Sequence, residues 1–117
     1  MADKRWLAVE AKKYHILEWY YGYKRFRPGQ EEVIDSILNG RDALAVMPTG
    51  AGKSVCYQVP GLLFDGITLV ISPLISLMKD QVDRLRQMGI AAVAIHSGLS
   101  YTQIDIALDN CVYGDMK

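Results

Sequence analysis

Residues 42–59 read Asp-Ala-Leu-Ala-Val-Met-Pro-Thr-Gly-Ala-Gly-Lys-Ser-Val-Cys-Tyr-Gln-Val. An apolar, strand-like run (42–47) enters a glycine-containing turn, and a helix-like run leaves it. Glycines at 50 and 52 allow the backbone to turn tightly and aim several amides inward, and the N-terminus of the following helix adds positive dipole at the same point. This is the pattern of a phosphate-binding loop. Thr49, Gly50, Ala51 and Gly52 supply its backbone, Lys53 a point charge for β and γ phosphates, and Ser54 a hydroxyl for the accompanying Mg²⁺. The general pattern G-x-x-x-x-G-K-[ST] places glycine where this chain has Met47.

Outward from the loop, the chain alternates. Arg5 to about Tyr20 reads as a first helix. A turn-like stretch from Tyr21 to Arg27 leads to Pro28 at a helix start, with Glu31 and Glu32 complementing the dipole, an apolar stripe of Val33, Ile34, Ile37 and Leu38, and Gly40 as stop. Three strand-then-helix units follow. Their strands are expected at Asp42–Met47, Ile67–Ile71 and Ile90–Ile95, rich in Val, Ile and Leu without alternation, as buried parallel strands are. The first helix of these units runs from about Gly52 to Leu63, kinked or ended early by Pro60 and Gly61. The second runs from Pro73 to about Met88, capped by Ser72, with Leu74, Leu77, Met78, Val82 and Leu85 as its buried stripe and Gly89 as its end. The third opens with a capping box, Ser100 and Gln103, and ends at Gly114. The expected fold is α/β: a βαβαβα unit over 41–117 with a parallel sheet, preceded by helices over 1–40, all in one domain. Three strand-to-helix loops would then share the carboxyl edge of the sheet, where ligands bind in such folds.

Bulk properties narrow the function. With 117 residues, half of them apolar and 22% charged, the chain is an ordinary globular domain. No apolar run approaches the roughly 20 residues that span a bilayer, and no signal-peptide stretch is present, so the cytoplasm is the expected location. Net charge is zero, which argues against a purely electrostatic grip on nucleic acid. The segment up to Arg27 holds seven Lys/Arg against three acids, and the remainder six against ten. Cys56 and Cys111 fall on apolar helical stripes and read as buried thiols. His15 and His96 have no partners at metal-ligand spacing.

Two further loops present small hydroxyl residues at helix starts: Ser72, Ser76, Ser97, Ser100 and Thr102. Such residues are commonly caps, and they also suit phosphates of a nucleic-acid backbone.

Leu17-Glu-Trp-Tyr-Tyr-Gly-Tyr-Lys-Arg-Phe-Arg-Pro-Gly-Gln-Glu-Glu-Val-Ile34, then Met47-Pro-Thr-Gly-Ala-Gly-Lys-Ser54, then Val70-Ile-Ser-Pro-Leu-Ile-Ser-Leu-Met-Lys-Asp-Gln-Val82 is an ordered series that resembles the leading motifs of RecQ-family DNA helicases of superfamily 2. The resemblance implies a partial RecA-like P-loop NTPase fold, a three-layer α/β/α sandwich truncated after about three strands. It implies ATP and Mg²⁺ as cofactors, with Lys53 serving catalysis, and single-stranded and branched DNA as the partner in recombination and repair. Gln30 would read the adenine edge, flanked by Tyr23 and Arg27, and Ser72, Pro73, Ser76 and Ser97 would touch DNA. The family also carries an Asp-Glu pair and an arginine from a second domain; no Asp-Glu pair occurs in this sequence. The expectation is therefore the leading part of a motor domain, inactive by itself, from a compact, bacterial-type, nucleoid-associated parent, and able to self-associate through an exposed sheet edge. An RNA helicase of the same superfamily, or a non-catalytic nucleotide-binding or interaction module, are the alternatives.

Overall fold

The computed structural model describes residues 11–48, 50 and 52–117. The chain divides into two compact units, Met1–Asp65 and Gly66–Lys117.

In the first unit, residues 11–16 are helical and pass into a π-helical turn, Leu17–Tyr21; together these are α1. The part of this helix expected from Arg5 to residue 10 lies outside the described residues. Gly22 ends α1 in the left-handed conformation (φ 75°), its amide donating to Glu18 O at 3.0 Å. Helix α2 is Gln30–Leu38 and α3 is Lys53–Leu63. Pro28 does not open α2 but stands two residues before its first residue, because Gly29, left-handed at φ 86°, takes the N-cap. Helix α3 continues through Pro60 and Gly61, both buried, and is neither ended nor shortened by them. Leu17, Ile34, Val55 and Val59 meet in one core, and Ile16, Tyr21, Phe26, Leu38 and Leu63 pack against it. Each of these three helices presents its apolar stripe to the others, and burying a large aliphatic side chain contributes about 1.5–3 kcal/mol.

The second unit holds α4, Ile75–Gln87, and α5, Tyr101–Tyr113. The Ser100–Gln103 capping box forms as the sequence predicts: Gln103 N donates to Ser100 Oγ at 3.1 Å and Ser100 N to Gln103 Oε1 at 2.8 Å. Helix α4 starts two residues later than expected, with Leu74 at the N-cap and no side-chain cap. Ser72 instead accepts from Leu74 N at 3.4 Å, a local turn. None of α4 is buried. Its expected stripe is half-exposed or open, Leu74 being 58% and Leu77 45% exposed. An open groove of about 410 Å³ lies between α4 and α5, floored by Val82, Val93, Leu99 and Ile106.

The parallel sheet is not there. Among the described residues no β-strand forms, and the α/β/α sandwich expected from the sequence is corrected to an all-helical arrangement with extended connections. Residues 42–47, 67–71 and 90–95 have the composition of strands, but composition only makes a segment fit a pleated surface that neighbours must supply. Leu44 (94%), Leu69 (84%) and Ile71 (97%) are exposed, so the first two segments lack the cover that a parallel strand needs, and only in 90–95 is a residue, Ile90 (7%), buried. Isolated contacts replace a ladder: Thr68 N donates to Lys117 O at 2.9 Å, and Lys117 N to Ala91 O at 3.0 Å.

Candidate functional site

The site residues expected around residue 50 belong to the first unit, and its backbone shows why glycine is needed there. Gly50 and Gly52 adopt φ 83° and 77°, a region in which a Cβ is strained. Gly52 is the N-cap of α3, without a side-chain cap bond and without an acidic residue in the first turn. Helix α2, by contrast, has Glu31 and Glu32 in its first turn. The first amides of an α-helix have no intrahelical partner, and in α3 nothing of opposite charge from its own first turn answers them. That arrangement suits an anion. Lys53, exposed, and Ser54, half-buried, open the helix at this point. Thr49 and Ala51 lie outside the described residues.

Two side chains hold the loop from the other side. Arg27 Nη1 donates to Gly50 O at 2.7 Å, and Gln30 Nε2 donates to Gly52 O at 2.9 Å. Gln30 Oε1 in turn accepts from Arg27 N at 2.8 Å. These bonds engage the loop's carbonyls and leave its amides to serve an anion. They also fix which end of the Gln30 amide is donor and which acceptor. Gln30 is 3% exposed at the first position of α2, while Arg27 and Tyr23 are exposed. The segment expected to select the base is thus hydrogen-bonded to the loop expected to hold the phosphates.

A polyphosphate with its Mg²⁺ fits this donor set in part. Uncapped amides and Lys53 match the phosphates, and Ser54 offers one hard oxygen to a cation that takes most of its remaining ligands from phosphate and water. Among the described residues no group of three or more His, Cys, Asp or Glu side chains gathers at metal-binding distance.

Sequence reasoning missed the supports of this site. Lys13, fully buried, donates to Asp35 Oδ1 at 2.6 Å and Glu31 Oε1 at 3.2 Å. Tyr14 Oη donates to Glu31 Oε2 at 2.7 Å, and its ring lies 5.1 Å from that of Phe26. Tyr21 Oη donates to Gln58 Oε1 at 2.6 Å, tying α1 to α3, and burial pushes its phenol well above the usual range. One signal was available: Lys13 stands four residues before the core residue Leu17, on the helix face that an apolar side chain normally occupies.

The Glu31 carboxyl is held below its ordinary range, first by the Tyr14 hydroxyl, against partial burial, and then by Lys13. Because the folded value is depressed, this group's stabilisation is present above the ordinary glutamate value of about 4.3 and lost as pH falls below it. Melting curves should therefore show Glu31→Gln less stable than wild type at neutral pH. The gap should close toward pH 3; a gap that widens on acidification would contradict this assignment.

Cys56 is buried, its Sγ 3.8 Å from Met47 Sδ, with the thiol pushed up by burial; Cys111 is half-buried. In the second unit, Pro73, Ser76 and Ser97 are exposed and Ser72 is half-buried. His96 Nδ1 accepts from Gly98 N at 3.0 Å within its own loop. No helix among the described residues is long and apolar enough to cross a membrane.

Comparison with known proteins agrees with the motif series. The profile of the DEAD/DEAH box helicases matches residues 27–111. The chain is 55% identical over 102 residues to the ATP-dependent DNA helicase RecQ of Haemophilus influenzae, covering 87% of this chain and 16% of that protein. It is 50% identical over 103 residues to RecQ of Bacillus subtilis, covering 87% and 17%. With ATP-dependent DNA helicase Q1 of Rattus norvegicus it shares 44% over 102 residues, covering 87% and 16%. The chain thus spans less than a fifth of the length of these relatives. Matched by the family profile over residues 27–111, the chain belongs to the DEAD/DEAH box helicase family, with RecQ helicases among its relatives.

Proposed function

We propose that this chain is the ATP-binding part of a RecQ-like helicase that binds single-stranded and branched duplex DNA and couples ATP hydrolysis to DNA unwinding in recombination and repair. One observation carries the reading: Arg27 and Gln30 hydrogen-bond to the carbonyls of Gly50 and Gly52, so that the base-selecting segment and the phosphate loop act as one site. Within it, Lys53 and the α3 amides neutralise the triphosphate, and Ser54 contributes to Mg²⁺. Gln30 reads the adenine edge, while Tyr23 and Arg27 flank the base, a phenol face and a guanidinium plane being suited to stacking. Thr49 and Ala51 complete the loop. Bound ATP with Mg²⁺ supplies the phosphoryl group for hydrolysis; what these residues supply is its binding and orientation.

For the DNA partner, Ser72, Pro73, Ser76 and Ser97 are the contacts we assign, to backbone phosphates that carry no sequence information. A cytoplasmic, nucleoid-associated protein is consistent with this substrate. Exposed Leu69, Ile71 and Val112 favour self-association of the chain.

Base selection provides the test. The Gln30 amide can pair with an adenine edge and would face mismatched groups on guanine, and a site built on hydrogen bonds discriminates against a ligand that leaves one unpaired. Gln30→Ala should lower the ratio of ATP to GTP affinity, measured by calorimetry on the same preparations. If the ratio stays at its wild-type value, Gln30 does not read the base.

A further inference from the structure

Lys13 is the largest fully buried side chain of the described residues, and it is charged. Removing an ammonium from water is costly unless it is paired and hydrogen-bonded, so its partners are tightly specified. Those partners include Glu31 and Asp35, one turn apart on the same face of α2. Both are partly exposed, so the lysine is the buried member of the triad. Tyr14, beside Lys13 on α1, adds a second bond to Glu31. A helix gripped at two points one turn apart, from a neighbouring helix, is fixed in rotation about its own axis as well as in position. The residue immediately before Glu31 is Gln30, and with α2 gripped in this rotation its amide meets Arg27 N and Gly52 O.

We propose that Lys13 is a positioning residue for base selection: through Glu31 and Asp35 it sets the orientation of α2, and thereby aims the Gln30 amide at the base while keeping it bonded to the phosphate loop. The inference rests on the reading of Gln30 as the base-contacting residue. Lys13 is fully buried against α2, so in this reading it acts through Gln30 and contacts neither base nor phosphate itself. Its removal should therefore act on discrimination, with phosphate binding spared.

The experiment uses the full 117-residue chain with ATP, GTP and inorganic tripolyphosphate as calorimetric ligands, comparing wild type, Lys13→Met, Gln30→Ala and the double variant. Lys13→Met should lower the ATP-to-GTP ratio several-fold, by the loss of about one hydrogen bond's discrimination, with tripolyphosphate affinity within two-fold of wild type. In the Gln30→Ala background, Lys13→Met should produce no further change in the ratio, since the two act through the same amide. A residue that merely holds the fold would instead weaken all three ligands together with the ratio intact, and that result overturns the proposal. Asp35→Asn, which keeps the side-chain shape and loses one partner charge, should move the ratio in the same direction by less; an unchanged ratio in this variant also counts against the proposal, and it serves if Lys13→Met does not fold. A wild-type chain that binds ATP and GTP equally, or a ratio unmoved by Gln30→Ala, overturns the base-contact reading and this inference with it. A preserved Gln30 effect with no Lys13 effect overturns this inference alone.

Discussion

Lys53→Ala should lower the affinity of the chain for ATP and ADP by about ten-fold or more, since losing one charge-assisted contact typically costs roughly 1.5–3 kcal/mol. The expectation follows from what surrounds the lysine. Helix α3 opens with no side-chain cap and no acid in its first turn, so its amides and Lys53 are the positive groups that its N-terminus offers to a polyphosphate. Amides alone leave much of a triphosphate's charge unneutralised. Lys53 is exposed and, among the described residues, is not part of the core, so the substitution should leave the melting temperature nearly unchanged. Calorimetric titration of both proteins checks it; equal affinities would remove the phosphate-loop assignment.

A still larger loss is expected from Gly52→Ala. At φ 77° an alanine is strained by about 1–2 kcal/mol. The added Cβ would also overlap Gln30 Nε2, with Gln30 Cδ and Arg27 Nη1 at 3.7 Å. The amide of Gln30 must then leave the Gly52 carbonyl, which removes a further hydrogen bond worth about 0.5–1.5 kcal/mol. Together these correspond to roughly ten- to several-hundred-fold weaker nucleotide binding if the distorted loop must be restored on binding. Gly40→Ala separates strain from site disruption: Gly40 has the same φ, 77°, but a Cβ there meets nothing within 4 Å. It should lower the melting temperature and leave nucleotide affinity as in wild type. Equal nucleotide affinities for the Gly52 and Gly40 variants would show that the Gln30 contact does not matter.

The parts of the fold legible in the sequence were those whose cause is local. Glycine at 50 and 52 is required by the left-handed backbone they adopt, and Ser100 with Gln103 completes its capping bonds inside one turn of chain. Helix α2 followed from its apolar spacing and α3 from its place after the glycine loop, and Ile34, Val55 and Val59 find a common core. The sheet was not legible in this sense. A run such as Leu69-Val-Ile71 shows readiness to pair, whereas pairing needs a neighbouring strand, and Ile71 stands 97% exposed without one. The same holds for α4, whose stripe has the right period and little to pack against.

At the candidate site the division is similar. Loop residues declared themselves through spacing, while Lys13 did not, because a lysine reads as solvated until carboxylates 18 and 22 residues away are seen to surround it. Tyr21 and Gln58 are still more distant partners, 37 residues apart. Ser72 illustrates the reverse case: a residue read as a helix cap is bonded to the next turn, and α4 begins beyond it.

Amide hydrogen exchange of the 117-residue chain, with and without saturating ATP and Mg²⁺, tests most directly whether the base-selecting segment and the phosphate loop form one nucleotide site. The account predicts ATP-dependent protection in two separated stretches together, 27–30 and 50–55. Protection of the loop without the 27–30 segment, or none in either, would contradict it.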